Sequence, residues 1–478
     1  MLTLNKDTKM LIGGKWVNKE KKIKVLDPQN EELITEVPMA EQSDILLSIE
    51  NAEEGASIAS KMPVYERINI LNKAADYIDK YKDMYSRTIA AEGSKTINEA
   101  HAEVSRSIQT IRLSAEEARR ITGETIPFDQ MPGSENRVGY YYKFPVGIVA
   151  AITPFNDPLN LVAHKVGPAI ASGNAIIVKP SSLTPISALL LAEAFVEAGL
   201  PEKILSVITG SGKEIGNTLV SHPSIKLISF TGGYETGKKI AEKAGLKKIS
   251  MELGSNSPTI ILEDADLTKA VESTVAGSFG AAGQNCIGVQ RIFVEQSKYN
   301  YFLNLFIEAT KKLQMGDKKS SNTDIGPLIS ENEAIRIEKM VNEVTEKYDA
   351  KVLVGGFRNK AFYAPTILID VPINSTIAKE EIFGPVVMVF PICNLEEGIK
   401  KSNEVDYGLQ AGIFTQNISS TFHAIRELNY GGVMLNDSSD YRIDSMPFGG
   451  TKKSGVGREG VKYTIEDMTE TKVVQFKL

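Results

Sequence analysis

The chain has only two cysteines, four histidines and one tryptophan in 478 residues. So few cysteines rule out a disulfide scaffold and suit a reducing compartment, so a cytoplasmic location is expected. The histidines (His101, His164, His222 and His423) are scattered without ligand spacing, which predicts no metal site. No stretch approaches the roughly 18 uninterrupted apolar residues of a membrane span, and the opening MLTLNKDTKMLIGGKWV has no apolar core of signal-peptide length. Excess positive charge is missing too. The net charge of -6 gives no electrostatic case for nucleic acid or an anionic membrane as partner. What remains is a soluble composition, 42% hydrophobic and 24% charged, at a length that calls for two or more domains.

Up to about residue 40, short apolar runs alternate with turn signals and read as hairpins of an edge sheet. From 43 to about 121, Ile45, Ile49 and Ala52, then Ile68, Leu71, Ala74, Ala75 and Ile78, recur at three- and four-residue steps and predict two or three helices. Residues 122–145 are turn-rich and then aromatic (Tyr140, Tyr141, Tyr142), which suggests a strand excursion. From 146 the rhythm becomes strand, loop, helix. Strands are expected at 146–152, 174–178, 204–208 and 225–230, with helices at 188–198 and 237–244. This α/β alternation predicts a doubly wound parallel sheet with ligands at the carboxyl ends of its strands. A second α/β segment is expected from about 257 to 450, and a final strand at 471–478.

Two glycine-rich stretches follow strands. Gly210-Ser-Gly212-Lys-Glu-Ile-Gly216 has a last gap one residue too long for a dinucleotide fingerprint. Gly232-Gly-Tyr-Glu-Thr-Gly237-Lys-Lys239 nearly matches a phosphate loop but has Lys239 where a magnesium-binding hydroxyl is needed. Each is a tight turn or a place where backbone approaches a pyrophosphate at a helix start. Lys179 ends an apolar strand, as a solvated terminus or at the ligand edge. Asn156 lies in a proline-bracketed turn, where asparagine is also ordinary turn chemistry. Glu252 is hemmed in by apolar neighbours, which would raise its proton affinity as a general base needs, unless it points to solvent. Cys286 sits among small residues, as a small buried hydrophobe or as a nucleophile. A thiol, a base, an amide donor and a nucleotide site together describe aldehyde oxidation through a thioester.

The set TPFN (153–156), NAIIVKPS (174–181), SFTGGYETG (229–237), MELGSNSP (251–258), GQNC (283–286), EEIFGPV (380–386) and MPFGGTKKSGVGREG (446–460) resembles the aldehyde dehydrogenase superfamily, in order from about residue 10 to the C-terminus. The resemblance implies an α/β fold with a Rossmann-like cofactor domain (1–123 and 146–252), a second α/β catalytic domain (253–455) and a small β oligomerisation arm (124–145 and 456–478). Cys286 would be the nucleophile, Asn156 with the Cys286 backbone N–H would hold the oxyanion, and Glu252 would activate water on the thioester. Glu252 argues against the branch that passes its acyl group to coenzyme A. Lys179 would bond the adenosine ribose, Gly232 and Gly237 would form the turn near the adenine and pyrophosphate, and Glu381 and Phe383 would place the nicotinamide ribose and ring. Thr153, Pro154, Phe155, Ser181, Ser182, Gly212, Gly216, Phe230, Thr231, Gly233 and Leu253 complete the expected cofactor set. Many NAD-preferring members carry a glutamate where this chain has Ser182, which leaves room for a 2′-phosphate. NADP is therefore expected to be accepted, alongside or in place of NAD.

The run 436–444 falls where the family lines its substrate funnel. Together with Gln284-Asn285 it is similar to the branch acting on small polar or anionic aldehydes. Arg442 is expected to contact the substrate, or else to pair with Asp440 or Asp444. Asn285 and Phe448 join it in the expected substrate set. Asn285 stands where some anion-binding relatives have arginine, which favours a lactaldehyde- or glyceraldehyde-like substrate. Succinate semialdehyde, glyceraldehyde phosphate, phosphonoacetaldehyde and sulfolactaldehyde are the anionic alternatives. A P-loop NTPase and a structural relative without activity are the rival readings. A homodimer or homotetramer is implied, with Val473, Val474 and Phe476 of the last strand as a pairing edge. Cys393 is expected to fill core.

Overall fold

The computed structural model describes residues 8–478. Its first sheet has eight strands, in the order Lys15–Val17, Met10–Ile12, Leu205–Val207, Ala175–Lys179, Ile148–Ile152, Leu227–Thr231, Lys248–Glu252 and Gly455–Val456. The five from Leu205–Val207 to Lys248–Glu252 run parallel. Three of them, Ala175–Lys179, Leu205–Val207 and Leu227–Thr231, are buried at every position, as strands covered by helices on both faces must be. The chain enters at Ile148–Ile152, winds outward through Ala175–Lys179 to Leu205–Val207, then crosses to Leu227–Thr231 on the other side. This reversal opens a crevice at the carboxyl ends of the two central strands.

The second sheet orders Lys351–Val354, Thr366–Ile369, Val386–Ile392, Val289–Glu295, Ser257–Ile261, Gln410–Phe414 and Gly432–Leu435, parallel except at Lys351–Val354. A separate antiparallel sheet joins Thr469–Lys477, Arg137–Pro145 and Thr125–Ile126. The doubly wound reading therefore holds, with strand ends shifted by one or two residues.

Several expectations need correction. Four helices, not two or three, fill the region after the first strands: Gln42–Lys61, Val64–Lys80, Lys82–Glu92 and Ile97–Ala118. The last starts at a Thr96–Glu99 capping box and buries Ala100, Val104, Ile108, Ile111 and Ala115 at helical spacing. Of the two N-terminal hairpins, Met10–Ile12/Lys15–Val17 edges the first sheet, but Lys22–Leu26/Leu33–Pro38 forms a sheet of its own. The segment 456–468, expected in the arm, instead packs with the first sheet and its helices. Val456 pairs with Met251, and Val461, Ile465 and Met468 enter the core built on the helices and the first sheet. Cys393 is exposed rather than core, because it follows the strand end at Ile392 and turns outward beside Glu397. Among the described residues no helix is long and apolar enough to cross a membrane, and no cluster could hold a metal ion.

Candidate active site

A cavity of about 610 Å³ opens at the carboxyl ends of Ile148–Ile152, Leu227–Thr231 and Lys248–Glu252. Cys286, Glu252 and Asn156 line it together, with Asn285, Arg442 and Phe448. Pro154, Phe155, Thr231, Gly232, Gly233, Leu253, Glu381 and Phe383 face the same space.

The backbone leading to Cys286 is unusual. Ala281, Ala282 and Gly283 are consecutively left-handed, with φ of 51°, 53° and 70°. Left-handed alanines are costly and persist only where surrounding contacts impose them. Those contacts come from two directions. The Ala281 N–H donates to Glu99 at 2.6 Å, and the buried Gln284 side chain donates to Ser94 Oγ at 2.9 Å and accepts from the Ile329 N–H at 2.9 Å. A Cβ on Gly283 would stand 2.1 Å from the Gly384 carbonyl oxygen, so only glycine fits there. Cys286 then packs, half-buried, against Ile287, Leu409 and Phe448. Burial pushes its thiol up to about 12; Arg442 opposes the shift, while Glu381, Glu252 and Glu459 add to it.

Glu252 ends its strand 4% exposed, and neither carboxylate oxygen has a hydrogen-bond partner among the described residues. Burial first, and the Glu459 charge second, hold its pKa well above the ordinary glutamate value, against Arg442, Lys165 and Arg458. Behind it lies a buried ionic chain. Lys165 Nζ is 3.5 Å from Glu459 Oε1 and donates to Ser229 Oγ at 3.0 Å; Glu459 Oε2 accepts from Arg442 at 2.8 Å.

The expected cofactor residues divide. Lys179, Ser181, Ser182, Gly212, Gly216, Phe230, Gly237 and Thr153 lie outside the cavity lining. Lys179 and Gly212 are brought together: a Cβ on Gly212 would be 3.7 Å from Lys179 Cε. Lys179 is 6% exposed, donates to the carbonyl of its neighbour Pro180 and is pushed down to about 8 by burial, and its ammonium has no counter-charge among the described residues. The hydroxyls of Thr153 and Thr231, at the ends of the two central strands, are buried without partners among the described residues. A Cβ on Gly233 would meet nothing within 4 Å, whereas Gly232 and Gly237 are held by close approach to Phe230 and Leu253. Glu381 accepts the Ser255 N–H at 2.8 Å, and burial raises it to about 7. Phe383, at φ 50°, meets Phe155 edge-on with centroids 5.8 Å apart. A buried cation without counter-charge, two orphan hydroxyls and an open strand-to-helix turn fit a dinucleotide.

Sequence reasoning missed part of the wall. Lys95, Glu99, Glu103, Arg106, Asp157, Asp440 and Glu459 all line the cavity. Lys95 pairs with Glu103 and with Asp157, the neighbour of Asn156. Arg106 grips Asp444 through two bonds, at 2.8 and 3.2 Å. Glu99, Glu103 and Arg106 recur at helical steps, a polar stripe beside the apolar one, and that spacing was a usable signal. The ion pairs considered for Arg442 are corrected: its partner is Glu459, not Asp440 or Asp444, because Asp440 is taken by Asn285 and Asp444 by Arg106, Asn160 and His164. Burial raises Asp440 to about 7.

Fold and cavity define a doubly wound α/β enzyme with a half-buried thiol and a buried carboxylate lining one cavity beside a nucleotide crevice. Residues 16–474 match the model of the aldehyde dehydrogenase family, and the chain belongs to that family, a family of oxidoreductases. It is 44% identical to the 3-sulfolactaldehyde dehydrogenase of Priestia aryabhattai over 477 residues, covering 100% of this chain and 99% of that protein. It is 39% identical to the lactaldehyde dehydrogenase of Methanococcus maripaludis, covering 97% of this chain and 99% of that one. Among solved structures, the glyceraldehyde-3-phosphate dehydrogenase GapN from Methanocaldococcus jannaschii, complexed with NADP, superposes with a TM-score of 0.93 at 40% identity, covering 97% and 100% of the two chains.

Proposed function

We propose that this enzyme oxidises a small polar aldehyde, lactaldehyde- or glyceraldehyde-like, to its carboxylate. The observation that carries the reading is the convergence of Cys286, Asn156, Glu252 and Arg442 on one cavity whose lining also includes Glu381 and Phe383. Cys286 releases its proton to solvent, and its sulfur bonds to the carbonyl carbon as the carbonyl π pair moves onto oxygen, forming a thiohemiacetal oxyanion. The Asn156 amide and the Cys286 N–H hold the oxygen as it gains charge. NADP or NAD, when bound, would accept the hydride from the former aldehyde carbon as its C=O bond re-forms; Lys179, Thr153, Thr231 and the 232–237 turn would hold it, with Glu381 and Phe383 toward its reactive end. The resulting thioester on Cys286 is then attacked by water. Glu252 takes the proton of that water, its burial and the nearby Glu459 charge raising its proton affinity for that task. The carboxylate product departs and the thiol is restored.

The same reading has Ser182 leaving space for a 2′-phosphate, with the buried Lys179 ammonium as its counter-charge. The NADP bound to GapN supports it. The arm strand Thr469–Lys477, with Val473 and Phe476 exposed, supports a homodimer or homotetramer. An aldehyde panel run with both cofactors and read by reduced-nicotinamide absorbance tests the proposal. Hydroxylated aldehydes should give the highest kcat/KM, and NADP should be reduced efficiently; a preference for long apolar aldehydes, or exclusive use of NAD, would refute it.

A second reading, an anionic aldehyde, is favoured by one specific feature. Arg106 lines the cavity along with Arg442, and the two approach from different parts of the chain. The name of the Priestia relative, a 3-sulfolactaldehyde dehydrogenase, points the same way.

A further inference from the structure

Arg442 is placed for more than substrate contact. Its guanidinium lies 3.8 Å over the Phe448 ring, and Phe448 is part of the small apolar cluster against which Cys286 packs. One aromatic ring thus touches both the cation and the nucleophile's surroundings, with 8% of the arginine side chain exposed. In such a dry setting a full positive charge acts over distance more strongly than it would in water. Its Nε–H has no hydrogen-bond partner among the described residues, so Glu459 at 2.8 Å and the His164 ring nitrogen at 3.3 Å leave part of its charge uncommitted.

We propose that Arg442 is a positioning residue for the nucleophile: fixed by Glu459 and stacked on the Phe448 ring against which Cys286 packs, it places a positive charge beside the thiol and eases its ionisation before any aldehyde or cofactor binds. The charged groups around Cys286 make the need plain. Glu381 and Glu459 disfavour a further negative charge, and Arg442 opposes them. The inference goes beyond the substrate reading, because it concerns the thiol alone.

The test is alkylation of Cys286 by iodoacetamide as a function of pH, in the full-length enzyme without aldehyde or nicotinamide. A Cys393→Ser background removes the exposed second thiol. Arg442→Gln should slow alkylation about tenfold at a given pH for each unit by which the thiol pKa rises, and move the rise of the profile to higher pH. Arg442→Lys, which keeps the charge, should restore most of the rate. If Arg442→Gln does not fold because Glu459 is left unpaired, the double variant Arg442→Gln/Glu459→Gln removes both charges. Measured against Glu459→Gln alone, slowing is still expected there, since the two variants differ only in the Arg442 charge. An unchanged alkylation profile in the folded charge-free variant overturns the proposal. If Arg442 served only the substrate, its loss would change KM for aldehydes and leave alkylation alone.

Discussion

Arg442 donates to Glu459 at 2.8 Å, and Glu459 in turn stands 3.5 Å from the Lys165 ammonium. Two cations thus share one buried carboxylate and outweigh the cost of its burial, so Glu459 stays ionised at neutral pH. Glu252, lining the same cavity but without such partners among the described residues, holds its proton more tightly than an ordinary glutamate. Two carboxylates in one cavity with proton affinities pushed apart are suited to different tasks.

Cys286→Ala should reduce aldehyde oxidation to background. Glu252→Gln should separate the two halves of the reaction. Its stopped-flow trace is expected to show a burst of reduced nicotinamide of about one equivalent per site, followed by turnover slowed at least about a hundredfold. A Glu252→Gln enzyme with normal steady-state rate would remove Glu252 from its role.

Asn156→Ala should lower kcat by roughly a hundredfold or more with little change in cofactor affinity, since it deletes a donor used as the oxyanion forms. Steady-state kinetics alongside cofactor titration by fluorescence checks this. A loss confined to KM would argue for simple substrate binding.

The pH profile follows from the direction of two shifts. The thiol of Cys286 is raised to about 12, so it is mostly protonated at neutrality, and Glu252 holds its proton more tightly than an ordinary glutamate. The working forms are the ionised ones, and kcat/KM should therefore climb from about pH 6 toward about 9. A profile flat over that interval, with cofactor saturating, would contradict the assignment.

Arg106→Ala should discriminate between the two substrate readings. If the distal group is anionic, kcat/KM should drop for charged aldehydes by about a hundredfold while neutral hydroxyaldehydes change less than about threefold, as expected for loss of a charge-assisted contact. Equal effects on both classes would leave the hydroxyaldehyde reading in place.

Asp444→Asn should destabilise the fold at about pH 7 by about 3 kcal/mol, because it strips a buried carboxylate from Arg106, Asn160 and His164. These partners hold its pKa well below the ordinary aspartate value, although burial opposes them. The sign follows: the stabilisation is full above the unfolded-state pKa and fades as pH falls toward the folded one. Urea unfolding should show a smaller gap between variant and parent at about pH 3 than at about pH 7.

By itself the sequence determined the alternation of strands and helices from 146 onward, because apolar β-branched runs such as 174–178 report burial on both faces directly. It also determined that Cys286, Glu252 and Asn156 belong to one family pattern, since those motifs are local in the chain. The extra helix among residues 42–118 was harder to read, because short turns such as that at Pro63 separate helices without a break in apolar spacing. Only the tertiary structure decided the charge pairing. Arg106 meets Asp444 across 338 residues, and Arg442 passes over Asp440 and Asp444 for Glu459. Ion pairs have no periodicity along a chain, and which partners meet depends on where the sheets and helices carry them. The same holds for proton affinities, which burial and facing charges set together in the folded cavity.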